Sequence, residues 1–362
     1  MSVSQHFSAD YAEARAKFLA AARAAGAEVA SYDHPLTGPD GGALALDMAR
    51  LGPADAPRAL LLSSATHGVE GFCGSGCQVA ALAEGFHGSL PEGMALVLVH
   101  AHNPHGFAHI RRVTEDNIDL NRNFVDFDQP LPENAAYDEV HPLIVPADWD
   151  GPARKVADEA IMRYIEERGL FAWQAAVTGG QWSHPDGIFY GGQGPSWSRL
   201  TIERMARERL AGHRFIGLID FHTGLGPRGH GEIIGIGAPG HPNYERARQW
   251  YGEEAKSPEA GDSVSAVVRG TTEQGYVRSL PGSEVTGIAV EYGTLPPEAV
   301  LQALRADNWL HLKGDVNSPQ GREIKQQVRD AFYGDDDQWK ADVWQRAEEV
   351  MRRGVAGLAA VG

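Results

Sequence analysis

His67-Gly68-Val69-Glu70 sets an imidazole and a carboxylate three residues apart, where the apolar run Ala59-Leu60-Leu61-Leu62 gives way to a glycine-studded turn. A strand with His67 at its tip, followed by a turn that opens a helix with Glu70 in its first winding, lets both side chains converge on one point. One further ligand would complete a catalytic zinc site, which holds its ion with three protein ligands and keeps a fourth position open. Ile219-Asp220-Phe221-His222-Thr223-Gly224 offers that ligand in His222, at the end of a second apolar run. Polar side chains at the carboxyl ends of central strands project into the crevice where α/β sheets bind ligands. The bland alternative is a set of separate, hydrogen-bonded structural residues.

The elements that must position these groups are legible from apolar patterning. Continuous apolar runs at 59–64, 95–100 and 215–221 suit strands buried on both faces, and 232–237 and 287–291 add two more. Ala43 to Leu46 reads as an outer strand. Helical spacing intervenes at 73–83, 198–210, 244–254 and 298–306. This alternation predicts an α/β fold with a mixed, largely parallel central sheet and helices on both faces. An amphipathic helix opens the chain, with Phe7, Tyr11, Phe18 and Ala22 on one face and Ser8 or Asp10 as its cap. A closing helix presents Trp339, Val343, Ala347 and Val350 on one face. Prolines 130, 132, 142, 146 and 152 interrupt the pattern, so one domain over 1–362 with a long irregular insertion at about 125–195 is expected.

Composition narrows the partners. With 48 acidic and 32 basic residues the net charge is -16, a field that repels phosphate backbones and anionic lipid. No basic stripe offsets it, so neither nucleic acid nor a membrane is an expected partner. The two cysteines, Cys73 and Cys77, stand four apart on one helix, which suits buried small residues better than a disulfide. The absence of a basic segment followed by an apolar core, and of any run of eighteen apolar residues, points to the cytoplasm.

Between the candidate ligands lies Arg111-Arg112-Val113-Thr114-Glu115-Asp116-Asn117-Ile118-Asp119-Leu120-Asn121-Arg122-Asn123-Phe124. HGVE, then DLNRNF, then DFHTG, then Val290-Glu291-Tyr292-Gly293-Thr294 follow one another as in zinc carboxypeptidases of the carboxypeptidase A type, and the chain resembles that superfamily over 67–294. His102-Asn103-Pro104 also resembles the asparagine-proline segment of the succinylglutamate desuccinylase and aspartoacylase branch. The flanks and 125–200 match neither group.

The resemblance implies one Zn2+ per chain on His67, Glu70 and His222, with Glu291 as general base. It implies an arginine facing the developing oxyanion; Arg112 and Arg111 compete for that role because their spacing to Asn121 differs from both groups. Asn121 and Arg122 would grip a substrate carboxylate in a two-point contact, and Asp119 would orient a ligand histidine. Tyr276 is the counterpart of a mobile substrate-side tyrosine, and Trp182 belongs to a glycine- and aromatic-rich segment, 179–192, that would wall the pocket. The expected activity is cleavage of an amide bond beside a free carboxylate in a short peptide or an N-acyl amino acid.

Other signals are weaker. The segments 224–229 and 235–240 both match GxGxxG, but the acidic residue that should end the next strand is missing, since Asp262 instead precedes the apolar run 264–268. No GxSxG elbow occurs, which removes the usual serine hydrolase of this architecture. Histidines 100, 102, 105 and 109 have mixed spacing that suits hydrogen bonding better than a second metal. A non-catalytic zinc- or ligand-binding protein and a dinucleotide-dependent oxidoreductase stand as the alternative readings. Glu291, on the bland reading, is an exposed strand-end carboxylate.

Overall fold

The structure is a computed structural model that describes residues 2–361. Its strands are β1 (Glu28–Thr37), β2 (Ala43–Leu51), β3 (Arg58–Ser64), β4 (Met94–His100), β5 (Phe215–Arg228), β6 (Gly231–Gly235), β7 (Ala255–Lys256) and β8 (Glu284–Gly293). They form one eight-stranded sheet in the order β1-β2-β4-β3-β5-β8-β6-β7. The central four, β4-β3-β5-β8, are parallel. Antiparallel β1 and β2 extend one side, and β6 runs antiparallel to β8 on the other. This is the mixed, largely parallel sheet predicted from the apolar runs.

The central strands are largely apolar and buried because both of their faces are covered. Leu60 and Leu62 of β3 join one core with Phe18, Phe72 and Trp339. Ala59 and Leu61, on the opposite face, join a second with Ile202, Met205 and Tyr276. The closing helix, Asp337–Ala360, buries Trp339, Val343, Ala347 and Val350 as its spacing requires. The opening helix, Tyr11–Ala24, is capped by Asp10, which accepts from the Glu13 amide. Cys73 and Cys77 are buried free thiols.

Two expectations need correction. Ala43–Leu46 belongs to an interior strand: β2 pairs with both β1 and β4. The outer strand is β1, whose largely exposed, proline-containing sequence lacks the apolar run by which buried strands are recognised. The insertion at 125–195 is also not simply irregular, for it contains helices Ala135–Ile144, Pro152–Arg168 and Leu170–Thr178. Pro152 stands at a helix start, where no amide donor is required, and Asn134 caps the preceding helix. Prolines read as breakers thus partly mark beginnings.

Glycine brings the first site segment close to the sheet. A Cβ on Gly74, in helix Gly71–Ala83, would stand 2.6 Å from Ser64 Cβ, and one on Gly68 would stand 2.1 Å from the Gly106 carbonyl carbon. Only hydrogen fits at either position, so His67 and Glu70 are drawn against the carboxyl end of β3.

Candidate metal centre

His67 follows the end of β3, Glu70 ends the short 3-10 turn Gly68–Glu70, and His222 lies in neighbouring β5. His67, Glu70 and His222 each offer a ligand atom within 4.8 Å of the other two. His67 Nδ1 is 2.8 Å from Glu70 Oε1 and His222 Nδ1 is 3.0 Å from Glu70 Oε2. The two Nδ1 atoms stand 3.3 Å apart. The far nitrogens are engaged as well: His222 Nε2 lies 2.8 Å from Asp220 Oδ2 and His67 Nε2 3.3 Å from Asp119 Oδ1. Carboxylates behind both rings leave the Nδ1 edges to converge. That donor set, two imidazoles and a carboxylate, fits a zinc ion.

Electrostatics tie the cluster together. Burial favours a neutral Glu70, but the adjoining His67 and His222 outweigh it and bring the carboxyl down to about 2. Burial likewise opposes the charge on His222, and Asp220 with Glu70 overcomes it, holding that imidazolium well above the ordinary histidine range. Asp119 is kept well below the carboxylate range, against its burial, by Arg112 and His67.

Register decides where Glu291 stands. It is the direct partner of His222 across the β5–β8 ladder, only 9% exposed, and its Oε1 accepts from the Leu225 amide at 3.1 Å. Burial first, and the Glu70 charge second, push its carboxyl up to about 8. An exposed strand-end carboxylate is therefore not what β8 carries.

The two competing arginines diverge. Arg112 donates to Glu70 Oε1 at 3.2 Å and to Asp119 Oδ2 at 3.0 Å, and its Nη2 lies 2.7 Å from His67 Nε2. Arg111 turns away, donating to Asp307 and Asn117. A cavity of about 170 Å³ is lined by His67, Glu70, His222, Arg112 and Glu291, together with Asn121 and Arg122. Asn121 Oδ1 accepts from the Thr272 amide, which leaves its amide nitrogen as the donor. Arg122 is 4% exposed, donates to the Asn121 and Thr178 carbonyls, and has no partner for its buried Nε. Burial brings it down to about 10.

Two sequence-derived candidates stand elsewhere. Tyr276 is fully buried in the second core with its hydroxyl 2.8 Å from His102 Nε2, and Trp182 is buried against Gly191. Neither lines the cavity. From the 179–192 segment it is Phe189 that does, beneath Arg112 and Arg122 at 5.1 and 5.6 Å.

Sequence reasoning also passed over Asp220 and Glu273. Asp220 precedes His222 by two residues and so shares its face of β5, a period-two signal available in DFH. Glu273 lines the cavity near His222, its carboxyl raised by burial and by Asp220. Nothing local announces Glu273, because only the docking of helix Thr272–Ser279 brings it there. The glycine motifs are absorbed by the fold. Residues 224–228 continue β5, and Gly235 ends β6, which runs antiparallel to β8 and so lies outside the central parallel strands where a dinucleotide fingerprint belongs.

Fold and cluster together define an α/β protein with a buried His-Glu-His group at the carboxyl ends of its parallel strands. The chain belongs to the family described as "Protein of unknown function (DUF2817)", which it matches over residues 7–346. The sequence has no significant match among curated proteins. Among solved structures it is similar to carboxypeptidase A from Helicoverpa armigera, with 12% identity, 89% of this chain and 73% of that one covered, and a TM-score of 0.42. It is similar to thrombin activatable fibrinolysis inhibitor at 12% identity, with 94% and 74% covered and a TM-score of 0.46. Succinylglutamate desuccinylase from Chromobacterium violaceum is similar at 17% identity, with 86% and 72% covered and a TM-score of 0.37. No helix among the described residues is long and apolar enough to cross a membrane.

Proposed function

We propose that this chain is a zinc-dependent hydrolase that cleaves an amide bond beside a free carboxylate, in a short peptide or an N-acyl amino acid. The observation that carries the reading is the shared lining of one cavity by His67, Glu70, His222, Arg112 and Glu291. When bound by His67, Glu70 and His222, zinc supplies Lewis acidity at the scissile carbonyl. Glu291 takes the proton of the attacking water and hands it to the leaving amine. A carboxyl raised by burial is suited to both halves of that transfer, because it accepts and releases a proton near neutrality.

Arg112 faces the oxyanion, since it reaches the cluster while Arg111 is spent on Asp307 and Asn117. The free amide nitrogen of Asn121 and the guanidinium of Arg122, backed by Phe189, receive the substrate carboxylate. A protein that only bound zinc or a ligand would have no use for a buried base beside the cluster.

The test is hydrolysis of a panel of dipeptides and N-acyl amino acids by purified protein of known metal content. We expect one zinc per chain and turnover abolished by chelation. Glu291→Gln should keep the metal yet lose about a hundredfold or more in kcat. Wild-type protein without stoichiometric metal, or a variant as active as wild type, sinks the reading.

A further inference from the structure

Outside the cavity, His141, His184 and Asp186 offer three ligand atoms within 4.8 Å of one another. His141 Nε2 lies 2.9 Å from Asp186 Oδ1, and His184 Nε2 lies 2.7 Å from Asp138 Oδ1. The two imidazoles stack with centroids 4.1 Å apart and planes 19° from parallel. Their side chains are 18% and 27% exposed, open enough for an ion to enter.

Two surface ion pairs would explain each His–Asp contact singly. They do not explain the stack, because two imidazolium rings at that distance repel. A metal takes each histidine through the lone pair of a neutral ring, an arrangement in which a close stack carries no such repulsion. Imidazole nitrogen with carboxylate oxygen is the donor set taken by zinc, cobalt, nickel and copper dications.

The position gives such an ion a structural consequence. His141 sits on helix Ala135–Ile144, whereas His184 and Asp186 sit on the 179–192 segment. The same junction is already pinned by Tyr137, which donates to the Ile188 carbonyl at 2.9 Å; within the segment, Gln181 donates to the His184 carbonyl at 2.8 Å. Phe189, the next residue along, lies beneath Arg112 and Arg122.

We propose that His141, His184 and Asp186, with Asp138 beside them, form a second site for a divalent transition metal, which clamps the helix Ala135–Ile144 to the segment that presents Phe189 to the cavity. The site is independent of whether His67, Glu70 and His222 hold zinc.

The test uses the full chain, stripped with chelator and dialysed to equilibrium against micromolar Zn2+, with ions counted per chain. His141→Asn and His184→Asn are compared with wild type, after thermal unfolding in chelator has shown equal stability. Each variant should bind one ion per chain fewer than wild type. Hydrogen exchange across 181–190 should slow on adding Zn2+ in wild type and not in the variants. Equal ion counts in all three proteins overturn the site, and an ion lost without any change in exchange overturns the clamp. Because the count is a difference from wild type, it is read separately from occupancy at His67, Glu70 and His222.

Discussion

Asp220 is pulled three ways. Its Oδ1 accepts from Ser63 and its Oδ2 from Thr66, both at 2.7 Å, while Oδ2 also holds His222 Nε2 at 2.8 Å. Held so, it orients the ring without lining the cavity itself. Asp220→Asn should weaken zinc binding by about 10- to 100-fold, read by competition with a chelator of known affinity; an unchanged affinity would remove Asp220 from the site. The arginine pair can be separated at the same scale. Arg112→Met should lower kcat by about two orders of magnitude and should also lower the unfolding midpoint, because it strips a buried partner from Asp119. Arg111→Met should lower the midpoint with little change in kcat, because it strips a buried partner from Asp307, which then keeps Lys325, and does not touch the cluster. A kinetic loss at Arg111 equal to that at Arg112 would contradict the assignment of the oxyanion role.

At the scale of elements, the site is a property of strand ends. β3 and β5 are neighbours, and β5 and β8 pair so that His222 and Glu291 stand side by side. The apolar runs made these strands legible one at a time. Their adjacency was not, since pairing is decided by which helices cover which face. Helix Gly71–Ala83 shows the tolerance involved: its Gly74 admits no Cβ against Ser64 and Phe221. Gly74→Ala should therefore destabilise the protein by about 1–3 kcal/mol through overpacking, measured by urea unfolding. Gly88→Ala, where a Cβ meets nothing within 4 Å, is the control. Equal midpoints for the two variants would show that the helix can shift without cost.

Over the whole molecule, buried histidines set the response to acid. Burial brings His100 down to about 4, where it stacks on Phe18 at 4.7 Å and its Nε2 lies 2.9 Å from Ser75 Oγ. His102 is likewise brought to about 4 by burial. An unfolded histidine titrates near 6.5, so between about pH 6.5 and 4 the unfolded chain binds more protons than the native one. Stability is then full above that window and falls as pH drops through it. For metal-stripped protein, the urea midpoint should fall between pH 7 and pH 5, and His100→Gln should fall less steeply. Because the net charge above the window is the same in both proteins, the difference isolates this one histidine. Parallel falls would rule it out as a source of the acid sensitivity.

Some of this protein was determined by sequence alone. Unbroken apolar runs required strands covered on both faces, and the glycine-flanked His67 and Glu70 had to share one turn, because those features act over a few residues. DFHTG placed His222 at the close of an apolar run, although β5 continues past it to Arg228, and the ordered motifs carried the resemblance to zinc carboxypeptidases. Tertiary structure alone decided which arginine reaches the cluster, why Phe189 and not Trp182 lines the cavity, and how Glu273 arrives from a helix fifty residues beyond His222. It also turned 125–195 from an expected irregular stretch into three packed helices. The physical reason is common to all of these: side-chain direction and helix docking are set by contacts between residues far apart in the chain, and no local pattern encodes them.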